Sequence, residues 1–372
     1  MKLSSYSSWK ERALSLEKKL SISLENIQKI TVDPDTVVHC ENRIGSIALP
    51  LGVAGPLNIK GKYASGEFFC PLATTEGALV ASVNRGMKAT REKGIITTVY
   101  KAGVTRGPVL KVNTIGEVIQ VEKWIHAHRG ELEAKTRETS SHINLIEIFT
   151  KTAGLYIFIR FSFDTDKAMG MNMATIASQS LIEYISQKLD VMCITVAGNF
   201  DIDKKPAWLN TILGRGYIVQ AEAILSQETV KEVLKTEPKK IYELWKIKCL
   251  IGSALSGSMG FNAHHANIVA AFYAATGQDL AHVVEGSLGM TIIEVLEDGS
   301  LYISVNLPSI MLGTVGGGTK LSTQTEARNI LKSDSPLVLA EVLGAAILSG
   351  ELSLLSSLGE GTLSIAHKKL GR

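Results

Sequence analysis

Apolar residues recur at helical spacing, at strand spacing and in unbroken runs along this chain, and each pattern predicts a different element. Trp9, Ala13, Leu16 and Leu20 share one helical face, so the chain should open on an amphipathic helix. Strand-like segments follow near Leu57–Ile59 and Phe68–Cys70. Thr74-Thr75-Glu76-Gly77 then reads as the start of a helix that runs to about Lys93 and stops at Gly94. From 107 to 197 the chain is more polar and alternates in period: a helix near 116–126, a strand at 156–162, a helix over 173–189. The apolar β-branched run Val191-Met192-Cys193-Ile194-Thr195-Val196-Ala197 reads as a buried strand. That rhythm fits a small inserted α+β unit of split-βαβ type. Further on, 291–305 reads as a hairpin turning at Glu297-Asp298-Gly299-Ser300, and two Ala/Leu/Ser-rich helices finish the chain.

Length changes this picture little: 372 residues exceed one ordinary core, so two domains or one domain with an insertion are expected. Lys+Arg at 39 nearly balances Asp+Glu at 36, which gives no support for a nucleic-acid surface. Cys40, Cys70, Cys193 and Cys249 are scattered and form no CxxC pair, as expected of reduced thiols in a cytoplasmic protein. The first nineteen residues lack the apolar core of a signal peptide. Cys249 to Gln278 contains no Asp, Glu, Lys or Arg but carries many Ser, Asn and His, so a buried helix packed through Gly and Ala is expected rather than a membrane span. A soluble protein follows.

Candidate chemistry centres on Gly198-Asn199-Phe200-Asp201-Ile202-Asp203-Lys204-Lys205-Pro206. Adjacent lysines repel, so a pair at the mouth of a core makes most sense where an anion is expected, although such pairs are commonly solvated surface. Glu76 has small uncharged neighbours, which suits a general acid, but a Glu in a first helical turn also simply suits the helix dipole. Asp279 ends the uncharged segment, where it either pairs with Lys204 or lies in a solvated turn. His264 and Asn267 are spaced for a polar contact in a cleft, while adjacent His264 and His265 diverge by about 100° on a helix and cannot share a metal. No metal is expected. Gly316-Gly317-Gly318 could let backbone approach a cofactor, but it is not a GxGxxG fingerprint. The methionines of 169–173 read equally well as core filler. His367 lies in a tail that is either inert or a lid bringing a proton donor.

Several longer motifs occur in order: ENRIG at 41–45, PLGVAGPL at 50–57, TTEG at 74–77, AMGMNM at 168–173, GN…DKKP at 198–206, FNAHHAN at 261–267, GQD at 277–279 and GTVGGGT at 313–319. Together they resemble the 3-hydroxy-3-methylglutaryl-coenzyme A (HMG-CoA) reductase family over nearly the whole chain from about Glu41, in its soluble catalytic form. The resemblance implies an α+β fold: a large, mainly helical substrate domain with β walls (1–106 and 198–372), interrupted by a small ferredoxin-like NADP-binding domain (107–197). It implies reduction of HMG-CoA to mevalonate and CoA by two hydride transfers from NADPH, with NADH possible. Lys204 would stabilise the oxyanion, Glu76 would supply a proton, Asp279 would link and tune both, and His367 would protonate the departing thiolate. Arg106, Asp203 and Lys205 would hold the substrate carboxylate. Arg85 and Lys88 would meet the CoA phosphates, and Ser82, Asn84, Lys248, His264 and Asn267 would line the site. Ser140, Met169, Gly170, Met171, Asn172, Val315, Gly316 and Gly317 would contact the cofactor. A dimer with shared active sites, or a tetramer, is implied, with no membrane or nucleic-acid partner.

The chain departs from the family pattern at four places. Ala197 stands where Ser is common, Lys167 replaces an acidic residue, and Ser140-Ser141 replaces a Ser-Arg pair that often meets the 2′-phosphate. The tail reads HKKLGR where HMKLNR is common. Two rivals remain open: a different CoA-thioester enzyme that needs no nicotinamide, and a non-catalytic binding protein on the same scaffold.

Overall fold

The computed structural model describes residues 5–359 except 7, 30–32, 35 and 39. The opening helix Trp9–Leu20 forms as expected, started by a capping box in which the Ser8 hydroxyl accepts from the Glu11 N–H. Its face bearing Leu16 and Leu20 packs beside Phe69 and Ile330.

Ten strands form one continuous pleated system built in two parts. In the larger part β1 (Leu51–Gly61) pairs with β2 (Ser65–Ala73) and, in parallel, with the start of β3 (Ile95–Arg106). On the other side β3 is followed by β8 (Gly216–Leu225), β10 (Leu301–Ile310) and β9 (Met290–Val295), all antiparallel. The β9–β10 turn is the expected one: Gly299 has φ +79, and the Asp298 carboxylate accepts from the Ser300 N–H.

The last residues of β3 leave this sheet. After the register shift at Gly103, Val104–Arg106 pair instead with β6 (Tyr156–Asp164). There β4 (Val109–Lys111), β5 (Asn144–Ala153) and β7 (Met192–Thr195) complete an antiparallel sheet ordered β7-β4-β6-β5. Helices Ile115–Ala127, Arg129–Thr139 and Met171–Leu189 bury Val121, Ile125, Leu132, Leu181 and Ile185 against it, with Phe161 and Phe163 at the centre. A β-α-β-β-α-β order with that strand arrangement is ferredoxin-like. The protein is thus α+β.

Four expectations need correction. β7 is not buried: it is an edge strand with Met192 and Ile194 about half exposed, because only β4 pairs with it. The helix after TTEG begins at Leu79, preceded by Ala78 at φ +69, and ends at Thr90, so Glu76 lies in the loop before it. Cys249–Gln278 is not one helix. A π-helical turn Lys246–Gly252, the short helix Ser253–Leu255 and an irregular loop precede the helix His265–Thr276, because Gly257, at φ +68, and the Ser258 turn interrupt it. The Ala/Leu/Ser-rich stretch that follows is one helix, Pro336–Gly359, preceded by the short polar helix Ser322–Asn329.

The helix Pro336–Gly359 is long and apolar enough to cross a membrane, yet 89% of its apolar stretch is buried in the fold. It packs on the helix Leu79–Thr90 and on β8. Gly86 permits that approach, since an added Cβ would lie 1.9 Å from the Ser349 carbonyl oxygen. Its buried Glu341 accepts the N–H groups of Lys62, Tyr63 and Ala64, closing the β1–β2 turn.

Candidate active site

The loop 198–206 leaves the edge strand β7 and returns toward the larger sheet. Asn199, Ile202 and Lys204 all have φ between +50 and +63. That is unusual for a β-branched residue such as Ile202, and such strain persists only where surroundings fix it. Here the Gly198 N–H donates to the Gly107 carbonyl, Thr105 Oγ1 donates to the Asp201 carbonyl, and Asn210 Nδ2 donates to the Ile202 carbonyl.

This conformation directs Lys204 to Asp279, with Nζ 2.7 Å from Oδ2. Asp279 also caps the short turn Leu280–His282 by accepting the Ala281 N–H. Partial burial pushes its carboxyl up, but the Lys204 and Ala281 hydrogen bonds and the nearby His282 and Lys204 charges outweigh that, holding it below the usual carboxylate range. Of the two readings the sequence left open for Asp279, the structure thus gives the paired one.

Behind the pair lies a buried network that motif reading missed. Arg215, completely buried, binds Asp203 Oδ1 at 2.9 Å and Glu285 Oε1 at 2.5 Å, and its Nη1 lies 3.4 Å from His282 Nδ1. Glu285 also accepts the Lys204 backbone N–H at 3.3 Å and lies 2.7 Å from His282 Nδ1. Asp203 in turn lies 3.9 Å from Arg106, whose guanidinium also reaches Asp201 at 3.2 Å and Thr175 at 2.7 Å. Arg106, Asp203, Lys204 and Asp279 are therefore linked through buried Arg215 and Glu285, the Lys204 N–H and the half-buried Lys204–Asp279 pair. Lys205 turns outward, its Nζ donating to the Asp203 carbonyl. The only sequence signal for Arg215, His282 and Glu285 was that ionisable groups in apolar runs need partners.

Glu76 does not have the apolar enclosure its neighbours suggested. It is exposed, and among the described residues no ion pair reaches its carboxylate. On the next helix, Ser82 donates to Ser353 Oγ, and Arg85 donates to Ser353 and Ser357 of the long helix. Asn84 Oδ1 accepts the Gly55 N–H, and Lys88 is exposed. His367 lies outside the described residues.

Lys248, His264 and Asn267 line an open polar hollow of about 600 Å³ with Ser253, Ser256 and Asn262. Asn267 Nδ2 is 3.4 Å from His264 Nδ1, the contact their spacing suggested. His264 precedes the helix rather than lying on it. Buried Glu351 holds this turn by accepting the N–H groups of Ala263 and His264 and the Thr291 hydroxyl.

The AMGMNM segment and the glycine loop meet directly. Ala168 bridges Val315, the Thr314 N–H donates to the Lys167 carbonyl, and a Cβ on Gly313 would lie 2.3 Å from the Met169 nitrogen. Gly170, at φ +89, is the cap that starts the helix Met171–Leu189 directly after this contact. Gly316 and Gly317 have positive φ, and an added Cβ on either would meet nothing within 4 Å, so bare backbone lines open space there. Ser140 joins the same side through His142, whose Nδ1 is 3.2 Å from Asp166 Oδ2.

Known proteins can be compared with this geometry. The family model for hydroxymethylglutaryl-coenzyme A reductase matches residues 8–372. The chain is similar to the 3-hydroxy-3-methylglutaryl-coenzyme A reductase of Pyrococcus abyssi, with 46% identity covering 97% of this chain and 92% of that one. It is 46% identical to the enzyme of Methanocaldococcus jannaschii, covering 96% and 91%. In fold it is similar to a class II reductase from Streptococcus pneumoniae solved with NADPH, at a TM-score of 0.78 and 18% identity over 96% of this chain and 98% of that one. Motifs spread from one end of the match to the other, and near-half identity over nine-tenths of two archaeal relatives, place this chain in the hydroxymethylglutaryl-coenzyme A reductase family.

Proposed function

We propose that this chain reduces HMG-CoA to mevalonate and CoA with NADPH, and that Lys204 and Asp279 carry the chemistry. The observation behind this reading is the 2.7 Å contact between the two, on a loop whose backbone is fixed by buried groups. An ammonium held there can donate to a thioester oxygen as negative charge develops on it, without reorganising. Asp279 keeps that ammonium oriented. Arg106 and Lys205 supply cations for the substrate carboxylate, and Asp203 orients Arg106.

Bare backbone at Gly316 and Gly317, on the loop whose Gly313 and Val315 touch Met169 and Ala168, fits a dinucleotide, and the N-terminus of the nineteen-residue helix Met171–Leu189 suits its phosphates. NADPH bound there supplies the hydride. Ser140 and the 107–197 unit belong to this cofactor side in our reading, with 1–106 and 198–372 forming the substrate side.

The same reading makes the active assembly a dimer or larger, with Glu76, Arg85, Lys88, Lys248 and His264 completing a site shared between copies and His367 serving as thiolate acid. Exposed Glu76, fully exposed Ile44 and Ile47, and the open hollow beside Lys248 support it. Four free cysteines support a cytoplasmic setting.

The test is absorbance at 340 nm with purified protein, HMG-CoA and each reduced nicotinamide in turn. Two nicotinamides oxidised per CoA released, with mevalonate formed, is the expected result. CoA release without nicotinamide oxidation would instead favour a hydrolase, and formation of an acyl-CoA without free CoA a lyase.

A further inference from the structure

Glu351 is completely buried on the long helix Pro336–Gly359, yet three donors converge on its carboxylate from the turn beside the polar hollow. The Ala263 N–H reaches Oε2 at 2.8 Å, the His264 N–H reaches Oε1 at 2.7 Å, and the Thr291 hydroxyl on β9 reaches Oε2 at 2.6 Å. Having given its proton to Glu351, Thr291 Oγ1 accepts from His265 Nε2 at 3.0 Å. The ring nitrogens of His264 and His265 stand 4.0 and 3.9 Å from the carboxylate, too far to bond. Glu351 therefore grips backbone and one hydroxyl rather than either imidazole. Asn262 secures the other side of the turn, its Oδ1 accepting the His265 N–H and its Nδ2 donating to the Ser287 and Gly289 carbonyls.

The His264 ring has little of its own to hold it. Its side chain is 10% exposed, Nε2 has no hydrogen-bond partner among the described residues, and Nδ1 meets Asn267 Nδ2 at a long 3.4 Å. Its place on the wall of the hollow is set by the backbone that carries it, and that backbone is tied to Glu351. A carboxylate can accept from all three donors. A carboxamide offers one acceptor oxygen and turns an NH2 group against the remaining donors.

We propose that Glu351 is a positioning residue that, through the backbone of Ala263 and His264, sets the His264 ring against bound HMG-CoA. Thr291 completes the anchor by filling the carboxylate's remaining acceptor site. This inference rests on the reading of His264 as a residue of the substrate site.

The experiment is steady-state kinetics of the intact chain and its variants, with KM measured for HMG-CoA and for NADPH. Glu351→Gln should raise the HMG-CoA KM ~10-fold, the scale of one misplaced hydrogen bond, with kcat within ~3-fold and the NADPH KM unchanged. Thr291→Val should raise the same KM, and Thr291→Ser, which keeps the hydroxyl, should not. His264→Gln should raise it too, and adding Glu351→Gln to that variant should raise it no further, because both act through one ring. An unchanged HMG-CoA KM in Glu351→Gln, or effects of Glu351→Gln and His264→Gln that multiply, overturns the proposal. Should Glu351→Gln fail to fold, the Thr291 pair decides, and equal HMG-CoA KM values in Thr291→Val and Thr291→Ser overturn it. An unchanged HMG-CoA KM in His264→Gln would instead reject His264 as a substrate residue, and the proposal with it. That result is separable, because it is read in a variant that leaves Glu351 and its three donors in place.

Discussion

Lys204 and Asp279 meet through an ammonium and a carboxylate 2.7 Å apart, each side chain about one-third exposed. Both ends are fixed from behind. The Lys204 N–H donates to buried Glu285, and Asp279 caps its own turn. The pair is therefore held at the backbone while its charged tips remain partly exposed to solvent.

Lys204→Ala should lower kcat by at least ~100-fold, the scale for removing one preorganised donor, with far-UV circular dichroism unchanged. Near-normal turnover in that variant would remove Lys204 from the mechanism.

Arg215 is the cation on which Asp203 and Glu285 both depend. Arg215→Met leaves two carboxylates without it and should cost about 3–5 kcal/mol in urea unfolding. Arg215→Lys should recover little, because one ammonium cannot reproduce a fork that contacts both. Full stability in either variant would mean that the network is dispensable.

Gly86→Ala should destabilise the fold by about 1–3 kcal/mol, since its Cβ would press on the Ser349 backbone. Gly116→Ala, on the helix Ile115–Ala127, where the added Cβ would meet only Thr114 Oγ1 at an ordinary 3.9 Å, should be neutral or stabilising by up to about 1 kcal/mol. Equal melting temperatures for the two variants would contradict the helix-contact argument.

Burial pushes the His265 pKa down to about 4, with His264 adding and Glu351 opposing. Its folded value thus lies below its unfolded value, near 6.5. The unfolded chain takes up this proton first as pH falls. The contribution to stability is therefore full above about pH 6.5 and is lost progressively down to about pH 4. Melting temperature measured from pH 7.5 to 4.5 should fall less steeply in His265→Gln than in the unsubstituted protein. Identical slopes would assign the acid sensitivity elsewhere.

Much of this was legible in the chain itself. The β9–β10 hairpin followed from Asp298 and Gly299, whose turn chemistry is local. The ferredoxin-like rhythm followed from periodicity, and the ordered motifs carried the family. The partnership of Lys204 with Asp279 could be offered from charge accounting, because a carboxylate at the end of an uncharged run needs a cation. Where the reading failed, the missing information was long-range. The Val191 run has a buried strand's composition, but β7 is exposed because nothing pairs with its outer edge.

The sequence by itself determined the elements with strong local signals, the fold class and the reaction to test for. Only the tertiary structure decided that Arg215, His282 and Glu285 stand behind Lys204, that Arg85 turns to the long helix, and that the glycine loop touches the AMGMNM segment. The reason is physical. Periodicity and turn chemistry act over a few residues of one segment. A buried charge is satisfied by whatever group the fold carries to it, and that group's place along the chain leaves no local mark.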